Sequence, residues 1–349
     1  MLFLLLYERK RFFQERSYCK SHESMILSFG KGDSMKQLQF GILSTSSIAP
    51  RFIAALREAG VGEIVALSSR SLEKAREKAA QWEIPVAYGN HWQLLEDPNI
   101  NIVYISTVNG QHYPWAKAAL EQGKHVVCEK PCTTTAEQTR ELFALAREKG
   151  LFLMEAEKML FLPAILEVKR RIDRGDLGAV HMAELAHSFP ATYNSWMFDA
   201  AVGGGPLLSS GIYAVHLLSW LLSPIAQIRG IRTPTPEGVE QQYILTGALE
   251  SGALFVIKNS TLSMLDNSAK IYGTKGWVEI PEYWKARSAI FHFPGKEPEQ
   301  VEFPCRHELI YEIRHIAQCF ENGWRTSPVV TEALSVAGIQ ALETVKQNW

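Results

Sequence analysis

Residues 37–157 alternate between two hydrophobic patterns along the chain. Short apolar runs predict β-strands, and between them apolar residues recur at helical spacing, as at Phe52, Leu56 and Ala59. The strands are expected at residues 38–43, 63–68, 86–88, 102–106, 126–128 and 151–154. Six strands separated by helices predict an α/β fold with a doubly wound parallel sheet, the Rossmann architecture that binds dinucleotides.

The pattern changes after about residue 157. A helix is followed by strand-like segments in succession, and turns such as Glu250-Ser251-Gly252 join several of them as hairpins. These strands are expected at residues 180–189, 227–232, 241–250, 253–261, 269–272, 277–280 and 289–293, with closing helices at 307–321 and 331–346. We therefore predict a Rossmann domain at 35–157 and, at 158–349, an α/β domain with a large, mostly antiparallel open sheet.

The first 34 residues differ from the rest of the chain. An apolar run at 1–6 precedes the charged residues 8–11, whereas a signal peptide places positive charge first and needs a longer apolar stretch. A transmembrane helix needs about 20 apolar residues. Residues 1–34 are therefore interpreted as a non-native or disordered extension, with Met35 as the functional start.

Composition narrows the class of protein. The net charge of −1 gives no indication of nucleic acid or an anionic membrane as a partner. The five cysteines are odd in number and scattered, which fits a reduced, cytoplasmic protein. Cys128 and Cys132 form a C-x3-C pair, but the chain has no second cluster to complete a zinc site. We therefore expect these two cysteines to pack in the core and not to bind a metal.

The turn after the first strand is the expected phosphate loop. A dinucleotide fingerprint has the form G-x-G-x-x-G/A, and here only the final small residue, Ala49, fits. Serine hydroxyls and backbone N–H groups can still bind phosphate, but this segment taken alone favours an ordinary strand–helix turn. The candidate cofactor residues are Ser44, Thr45, Ser46, Ser47 and Ile48.

The end of the second strand bears on the choice of cofactor. NAD-binding folds usually place an acidic residue there for the ribose 2′-hydroxyl, but this chain has Ser69 and Arg70. A guanidinium pairs with a 2′-phosphate, which favours NADP over NAD. The alternative is a solvated arginine at the start of a helix.

Glu129-Lys130-Pro131 is an unusual charged segment directly after the fifth predicted strand. Ligands of α/β proteins bind at the carboxyl ends of parallel strands. A lysine that is partly desolvated at this edge is suited to proton or charge chemistry.

Many segments, in this order and spacing, resemble the glucose-fructose oxidoreductase / inositol dehydrogenase (Gfo/Idh/MocA) family, nearest to its dimeric dihydrodiol dehydrogenase and NADP-linked xylose dehydrogenase branch. The resemblance covers residues 36–349. The segments are 40–43 with 48–49, 104–109 with His112, 129–131, 154–156, 203–207, 211–213 and 311–315 with Cys319.

The resemblance implies that Thr107, Asn109 and His112 line the cofactor. It also implies that Glu129-Lys130-Pro131 lies beside the nicotinamide, often with a cis Lys–Pro bond. The family's usual aspartate falls on Ser209, and Tyr213 stands where many members have histidine. A tyrosine there is typical of the dihydrodiol dehydrogenase branch.

The expected activity is hydride transfer between nicotinamide and a secondary or hemiacetal alcohol of a sugar, polyol or trans-dihydrodiol. Tyr213 is the expected acid/base, with its pKa lowered by the Lys130 ammonium, which also binds the substrate oxygen. A variant makes Lys130 the proton carrier, and the residues do not choose between them. Glu129 is expected to pair with a positive group or to orient the loop.

Other residues have less defined roles. For His216, packing is favoured over catalysis. The side chains of Trp196 and Phe198 could wall the substrate pocket or pack in the core. Glu155 could touch substrate or cofactor. Rival interpretations are a catalytically silent dinucleotide sensor and a sugar–sugar oxidoreductase with tightly held cofactor. The resemblance also implies a homodimer or homotetramer formed through the C-terminal sheet.

Overall fold

The first sheet has the predicted Rossmann topology. The structure, a computed structural model, describes residues 38–189 and 196–349. Six parallel strands lie in the order β3-β2-β1-β4-β5-β6. They are β1 (Leu38–Leu43), β2 (Gly62–Ser68), β3 (Val86–Tyr88), β4 (Ile102–Ile105), β5 (His125–Glu129) and β6 (Leu153–Ala156). β6 begins two residues later than predicted because the Leu151 N–H closes the preceding helix on the Ala146 carbonyl (2.9 Å).

Helices connect these strands on both sides of the sheet. They are α1 (Ala49–Ala59), α2 (Leu72–Gln81), α3 (His91–Glu96), α4 (His112–Glu121) and α5 (Ala136–Glu148). α3 was not predicted, since six residues are too short to show a helical period. Its start is nevertheless encoded locally, because the Asn90 side chain accepts a hydrogen bond from the Gln93 N–H (3.0 Å).

The second sheet has eight strands in the order β14-β13-β12-β11-β7-β10-β9-β8. All neighbours are antiparallel except β7 and β10, so the expectation of a mostly antiparallel sheet is confirmed. The strands are β7 (Val180–Ser188), β8 (Ile225–Pro234), β9 (Glu240–Leu249), β10 (Leu254–Ser260), β11 (Ser268–Gly273), β12 (Trp277–Pro281), β13 (Ser288–His292) and β14 (Glu299–Glu302). β14 was missed because this polar edge strand carries no apolar alternation.

Two helices, α6 (Pro163–Asp173) and α7 (Ile212–Leu221), follow the first sheet. α7 is the core helix, with eight of its ten residues buried. Together with the turns before it, the stretch Ala200–Leu221 is apolar and long enough to cross a membrane, but 78% of its most apolar window is buried inside the protein. Burial explains its composition.

The last two helices, α8 (Ile310–Glu321) and α9 (Glu332–Gln347), pack back onto the first sheet and its helices. The Glu343 carboxylate accepts the first N–H of α5, from Ala136 (3.0 Å), and Arg51 on α1 pairs with Glu308 just before α8. The predicted boundary at 157/158 lies just after β6, which ends at Ala156, and stays a prediction. Residues 1–34 lie outside the described part of the chain.

Candidate active site

Three turns meet at the carboxyl edge of the first sheet. They follow β1, β4 and β5, and the strand order reverses between β1 and β4. A crevice at such a reversal is where open α/β sheets bind nucleotides. The expected phosphate loop, the segment 107–109 and the segment 129–131 are these three turns.

The expected phosphate loop has a glycine-like backbone at its first fingerprint position. Ser44 has φ of 110°, a region that favours glycine, and its N–H donates to the Ser68 carbonyl (3.2 Å). The Ser46 hydroxyl donates to Ser106 Oγ at the end of β4 (2.8 Å). Thr45 and Ile48 are half-buried and Ser47 is exposed. The loop geometry that the sequence left uncertain is thus compatible with a pyrophosphate, and the individual contacts stay predictions.

Arg70 is exposed just after β2. Within the described residues it has no hydrogen-bond or ion-pair partner, so its guanidinium is available to a ligand. Burial lowers the pKa of His91 to about 4, and the positive charge of Arg70 contributes to this shift. The neighbouring Ser69 is buried, and its N–H donates to the Tyr88 carbonyl (3.1 Å).

The segment after β4 joins the two halves of the site. The Asn109 side-chain amide donates to the Gly203 carbonyl (2.8 Å). His112 lies between two backbone carbonyls, with Nδ1 2.7 Å from the Pro131 oxygen and Nε2 3.1 Å from the Thr107 oxygen. His112 therefore links the turn after β4 to the turn after β5. The Thr107 hydroxyl is buried without a partner among the described residues, as expected of a group that awaits a ligand.

The segment after β5 is held from both sides. The Lys130–Pro131 peptide bond is cis, as the resemblance implied. Tyr104 donates its hydroxyl to Glu129 Oε1 (2.6 Å), so a neutral group orients the Glu129 carboxylate. Lys130 donates its ammonium to the Ser209 carbonyl, which links it to the turn before α7.

Tyr213 lies between two lysines. Lys158 donates from Nζ to Tyr213 Oη at 3.0 Å, while Lys130 Nζ lies over the ring, 4.5 Å from its centroid. Lys130 and Tyr213 were expected to meet, and the structure brings them together. Lys158 was missed, although it is a charged residue in an apolar run two positions after β6, at the same sheet edge as Lys130.

A second layer of charge lies behind these three groups. His216, one helical turn after Tyr213, bonds through Nδ1 to Glu157 Oε2 (2.9 Å) and has Nε2 4.0 Å from Glu155 Oε2. Glu155 also accepts the Cys132 N–H (2.8 Å). All three side chains are fully buried. His216 is thus buried against two glutamate side chains. Its packing role and the contact of Glu155 with substrate stay predictions.

Burial controls the protonation of the site. Burial, followed by the nearby Glu157 carboxylate, raises the pKa of Tyr213 well above 10.0. The expectation that a nearby ammonium lowers the pKa of this phenol is therefore wrong, since desolvation and the neighbouring carboxylates outweigh the opposing charge of Arg51. Burial also lowers the pKa of Lys130, and burial with the Lys130 charge lowers the pKa of Lys158 to about 8.

The inner face of the second sheet borders the lysines. His187 on β7 stacks on Trp284, with ring centroids 3.8 Å apart, and is the register neighbour of Asn259 on β10. Burial lowers the pKa of His187 to about 3, and the positive charges of Lys130 and Lys158 add to this shift. His187 Nδ1, Asn259 Oδ1 and Tyr283 Oη are buried without hydrogen-bond partners among the described residues. These atoms were not anticipated from sequence because they lie on segments that are distant in the chain.

The turn ahead of the glycine run forms another border. Trp196 and Phe198 are half-buried there, and Met197 Sδ lies 3.6 Å from the Ser209 hydroxyl. Their role as walls of the substrate pocket stays a prediction. Within residues 38–189 and 196–349, no group of three or more His, Cys, Asp or Glu side chains is arranged to hold a metal ion.

Comparison with known proteins matches both halves of the chain. The family described as "Oxidoreductase family, NAD-binding Rossmann fold" matches residues 38–157, and the "GFO/IDH/MocA C-terminal domain" matches residues 165–279. The trans-1,2-dihydrobenzene-1,2-diol dehydrogenase of Mus musculus is 32% identical over 323 residues, which cover 89% of this chain and 96% of the mouse protein. The Homo sapiens protein of that name is 31% identical, with the same coverage.

Solved structures show the same fold. KijD10, a 3-ketoreductase from Actinomadura kijaniata in complex with NADP and TDP-benzene, superposes with a TM-score of 0.83 at 23% identity, covering 90% of this chain and 98% of that one. A levoglucosan dehydrogenase in complex with NADH and levoglucosan gives 0.82 at 17% identity, covering 90% and 97%. The chain belongs to the Gfo/Idh/MocA family of oxidoreductases and is an NAD(P)-dependent dehydrogenase.

Proposed function

We propose that this enzyme oxidises a hydroxyl of a ring with vicinal hydroxyls, either a sugar or a trans-dihydrodiol, and that it prefers NADP. One observation carries the proposal. The Tyr213 hydroxyl lies 3.0 Å from Lys158 Nζ, and Lys130 Nζ lies over the Tyr213 ring, next to the turn after β5 where a nicotinamide is expected.

The residues at the sheet edge fit a dinucleotide. The Thr107 hydroxyl lacks a partner among the described residues, and the Ser44 turn has the backbone of a phosphate loop. We assign the pyrophosphate to residues 44–48 and the ribose and nicotinamide to the turns after β4 and β5. When bound, the cofactor accepts the hydride.

The protein must bind the alcohol oxygen and take its proton. Lys130 is placed to donate a hydrogen bond to that oxygen, which stabilises the developing alkoxide. Tyr213 is placed to exchange a proton with it. Because His112 and Glu129 are both engaged with the protein itself, we assign them to positioning the two turns.

The preference for NADP depends on Arg70. An exposed guanidinium after β2 attracts a 2′-phosphate, and Ser69 beside it offers no carboxylate to repel one. Fluorescence titration tests this with NADPH and NADH. Wild type is expected to bind NADPH more tightly, and Arg70→Ala should lose most of that difference while its NADH affinity changes little. Equal or reversed affinities in wild type would remove the assignment.

Two lines of support define the substrate class. The curated relatives are named as dehydrogenases of a trans-dihydrodiol, a ring with adjacent hydroxyls. In this chain His187, Asn259 and Tyr283 carry buried polar atoms without hydrogen-bond partners among the described residues, and His187 lies within the field of both lysines, which suits a substrate with several hydroxyls. Deoxygenated analogues should therefore lose affinity.

A spectrophotometric screen at 340 nm tests the activity. Trans-1,2-dihydrobenzene-1,2-diol, D-xylose, D-glucose and myo-inositol are supplied with NADP or NAD, and reduced cofactor is expected with at least one of them. Tight cofactor binding without any turnover would favour the sensor interpretation. Cofactor that co-purifies and cycles between two sugars would favour the sugar–sugar oxidoreductase.

Assembly through the second sheet is also part of the proposal. Its outer face carries exposed apolar side chains on four adjacent strands, namely Met182, Ile231, Ile244 and Leu254. A homodimer or homotetramer would cover them, so light scattering should give a mass that is two or four times the 39.2 kDa of the chain. Ile244→Lys should shift that mass toward the monomer, and a monomeric wild type would overturn the assignment.

We place the enzyme in the cytoplasm. The four cysteines of the described residues are all free thiols, which fits a reducing compartment. Cell fractionation with a tagged chain tests the location, and recovery in a membrane or secreted fraction would contradict it.

A further inference from the structure

Lys158 and Tyr213 form a buried pair at the centre of the proposed site. Their polar atoms are 3.0 Å apart, and the two residues are only 7% and 8% exposed. Lys158 lies in the short helical turn Lys158–Phe161 directly after β6, and Tyr213 lies in the first turn of α7. The contact therefore joins the first sheet to the core helix of the second half of the chain.

A neutral phenol poses a chemical problem for alcohol oxidation. Burial and Glu157 raise the pKa of Tyr213 well above 10.0, so at neutral pH the hydroxyl keeps its proton. A protonated phenol can take the proton of the alcohol only if it passes its own proton on at the same time. The group that receives it must lie within hydrogen-bond distance of Tyr213 Oη.

We propose that Lys158 is the proton-relay residue of this enzyme, which receives the proton of Tyr213 as Tyr213 receives that of the substrate hydroxyl. This inference rests on the proposed function. In the oxidation, the carbinol C–H bond breaks and its hydride goes to the bound nicotinamide. The alcohol proton moves to Tyr213 Oη, and the Tyr213 proton moves to the neutral amine of Lys158. The products are a carbonyl, reduced cofactor, an unchanged phenol and the Lys158 ammonium.

Geometry distinguishes Lys158 from Lys130. Lys130 Nζ lies over the face of the Tyr213 ring, 4.5 Å from the centroid, and donates to the Ser209 carbonyl. Its ammonium is thus directed across the ring and into the turn before α7. Lys158 alone of the two is hydrogen-bonded to the hydroxyl that exchanges the proton.

The surroundings of Lys158 lower its proton affinity. Burial, followed by the positive charge of Lys130, lowers the pKa of Lys158 to about 8, while Glu157 and Glu129 oppose that shift. An amine with this pKa can be neutral before oxidation and protonated after it. The charged or titratable groups that face Lys158 from neighbouring elements are Lys130, Glu129, Arg51, Glu157, Glu312 and His187.

The rates of oxidation and of reduction should depend on pH in opposite directions. Oxidation requires neutral Lys158, so its rate should fall as the pH drops below about 8. Reduction of the carbonyl requires protonated Lys158, so its rate should fall as the pH rises above about 8. The two directions should therefore show opposite pH limbs that share one group.

Lys158→Met and Lys158→Arg test the relay in the full-length enzyme, with the exposed Lys149→Met as the matched control. Oxidation of the best alcohol of the screen is followed at 340 nm from pH 5.5 to 10. Lys158→Met should lower kcat by about 10²-fold or more with a small change in KM, and should lose the pH limb. Lys158→Arg, which stays protonated, should be as slow although it keeps the charge. Lys149→Met should match wild type.

The experiment distinguishes failure of the proposed dehydrogenase activity from failure of the Lys158 relay. If wild type turns over no alcohol, the proposed function fails and the relay fails with it. If wild type is active and Lys158→Met keeps both the rate and the pH limb, only the relay is overturned. Should Lys158→Met not fold by circular dichroism, Lys158→Ala with added methylamine replaces it, and restored turnover supports the relay whereas turnover unaffected by the amine overturns it.

Discussion

Tyr213 and Tyr283 are two fully or nearly fully buried tyrosines whose hydroxyls should respond to removal in opposite directions. Tyr213 Oη accepts a hydrogen bond from the Lys158 ammonium at 3.0 Å. Tyr283 Oη has no partner among the described residues. Substitution of each by phenylalanine removes one oxygen atom and leaves the ring in place, so the comparison isolates the hydrogen bond.

The magnitudes follow from what each hydroxyl contacts. A hydrogen bond to a charged group contributes about 1.5–3 kcal/mol, so Tyr213→Phe should lower the free energy of unfolding by that amount. An unsatisfied buried polar group costs about 1–3 kcal/mol, so Tyr283→Phe should raise stability by up to that amount. Tyr213→Phe should also lower kcat by about 10²–10⁴-fold, or about 2.7–5.5 kcal/mol in the activation barrier.

Urea denaturation at pH 7, followed by circular dichroism, measures the stability of both variants, and steady-state oxidation at 340 nm measures kcat. The reasoning is refuted if Tyr213→Phe is as stable as wild type or retains its turnover. It is equally refuted if Tyr283→Phe is the less stable of the two variants, because the assignment of partners would then be incorrect.

Three further changes have defined expected outcomes. Lys130→Met should abolish turnover and keep cofactor binding in a fluorescence titration, and an active variant would remove Lys130 from the mechanism. Ser44→Gly should be more stable than Ser44→Ala by up to about 1 kcal/mol in urea, since φ of 110° strains any residue with a Cβ; equal stabilities would contradict this. Burial raises the pKa of the Glu312 carboxyl well above 4.5. Above pH 4.5 the unfolded chain releases this proton while the folded protein retains it, so the free energy of unfolding falls as the pH rises. Glu312→Leu should therefore gain more unfolding free energy over wild type at pH 8 than at pH 4, and a gain independent of pH would disprove the assignment.

The doubly wound sheet could be derived from the sequence because its signals are local. The buried strands are short apolar runs, the helices between them show a 3.6-residue period, and Gly123 and Gly150 end two helices with positive φ. The same local logic located the loop after β1, where a phosphate is expected, and the turn after β5. It failed for α3 and β14, which are too short or too polar to carry a period.

The chemistry of the site required the tertiary structure. From the sequence, Lys130 and Tyr213 were assigned to one site through a family resemblance, and Arg70 was favoured for NADP by the absence of an acidic residue. The sequence did not show that Lys158 is the hydrogen-bond partner of Tyr213, because residues 55 positions apart meet only when α7 packs on the end of β6. Nor could it give the direction of the Tyr213 pKa, because burial and the summed field of Glu157, Glu129 and Glu312 depend on how distant elements pack. Local pattern indicated the sheet edge at which a ligand is expected, and long-range packing decided which side chains meet there and how burial shifts their pKa values.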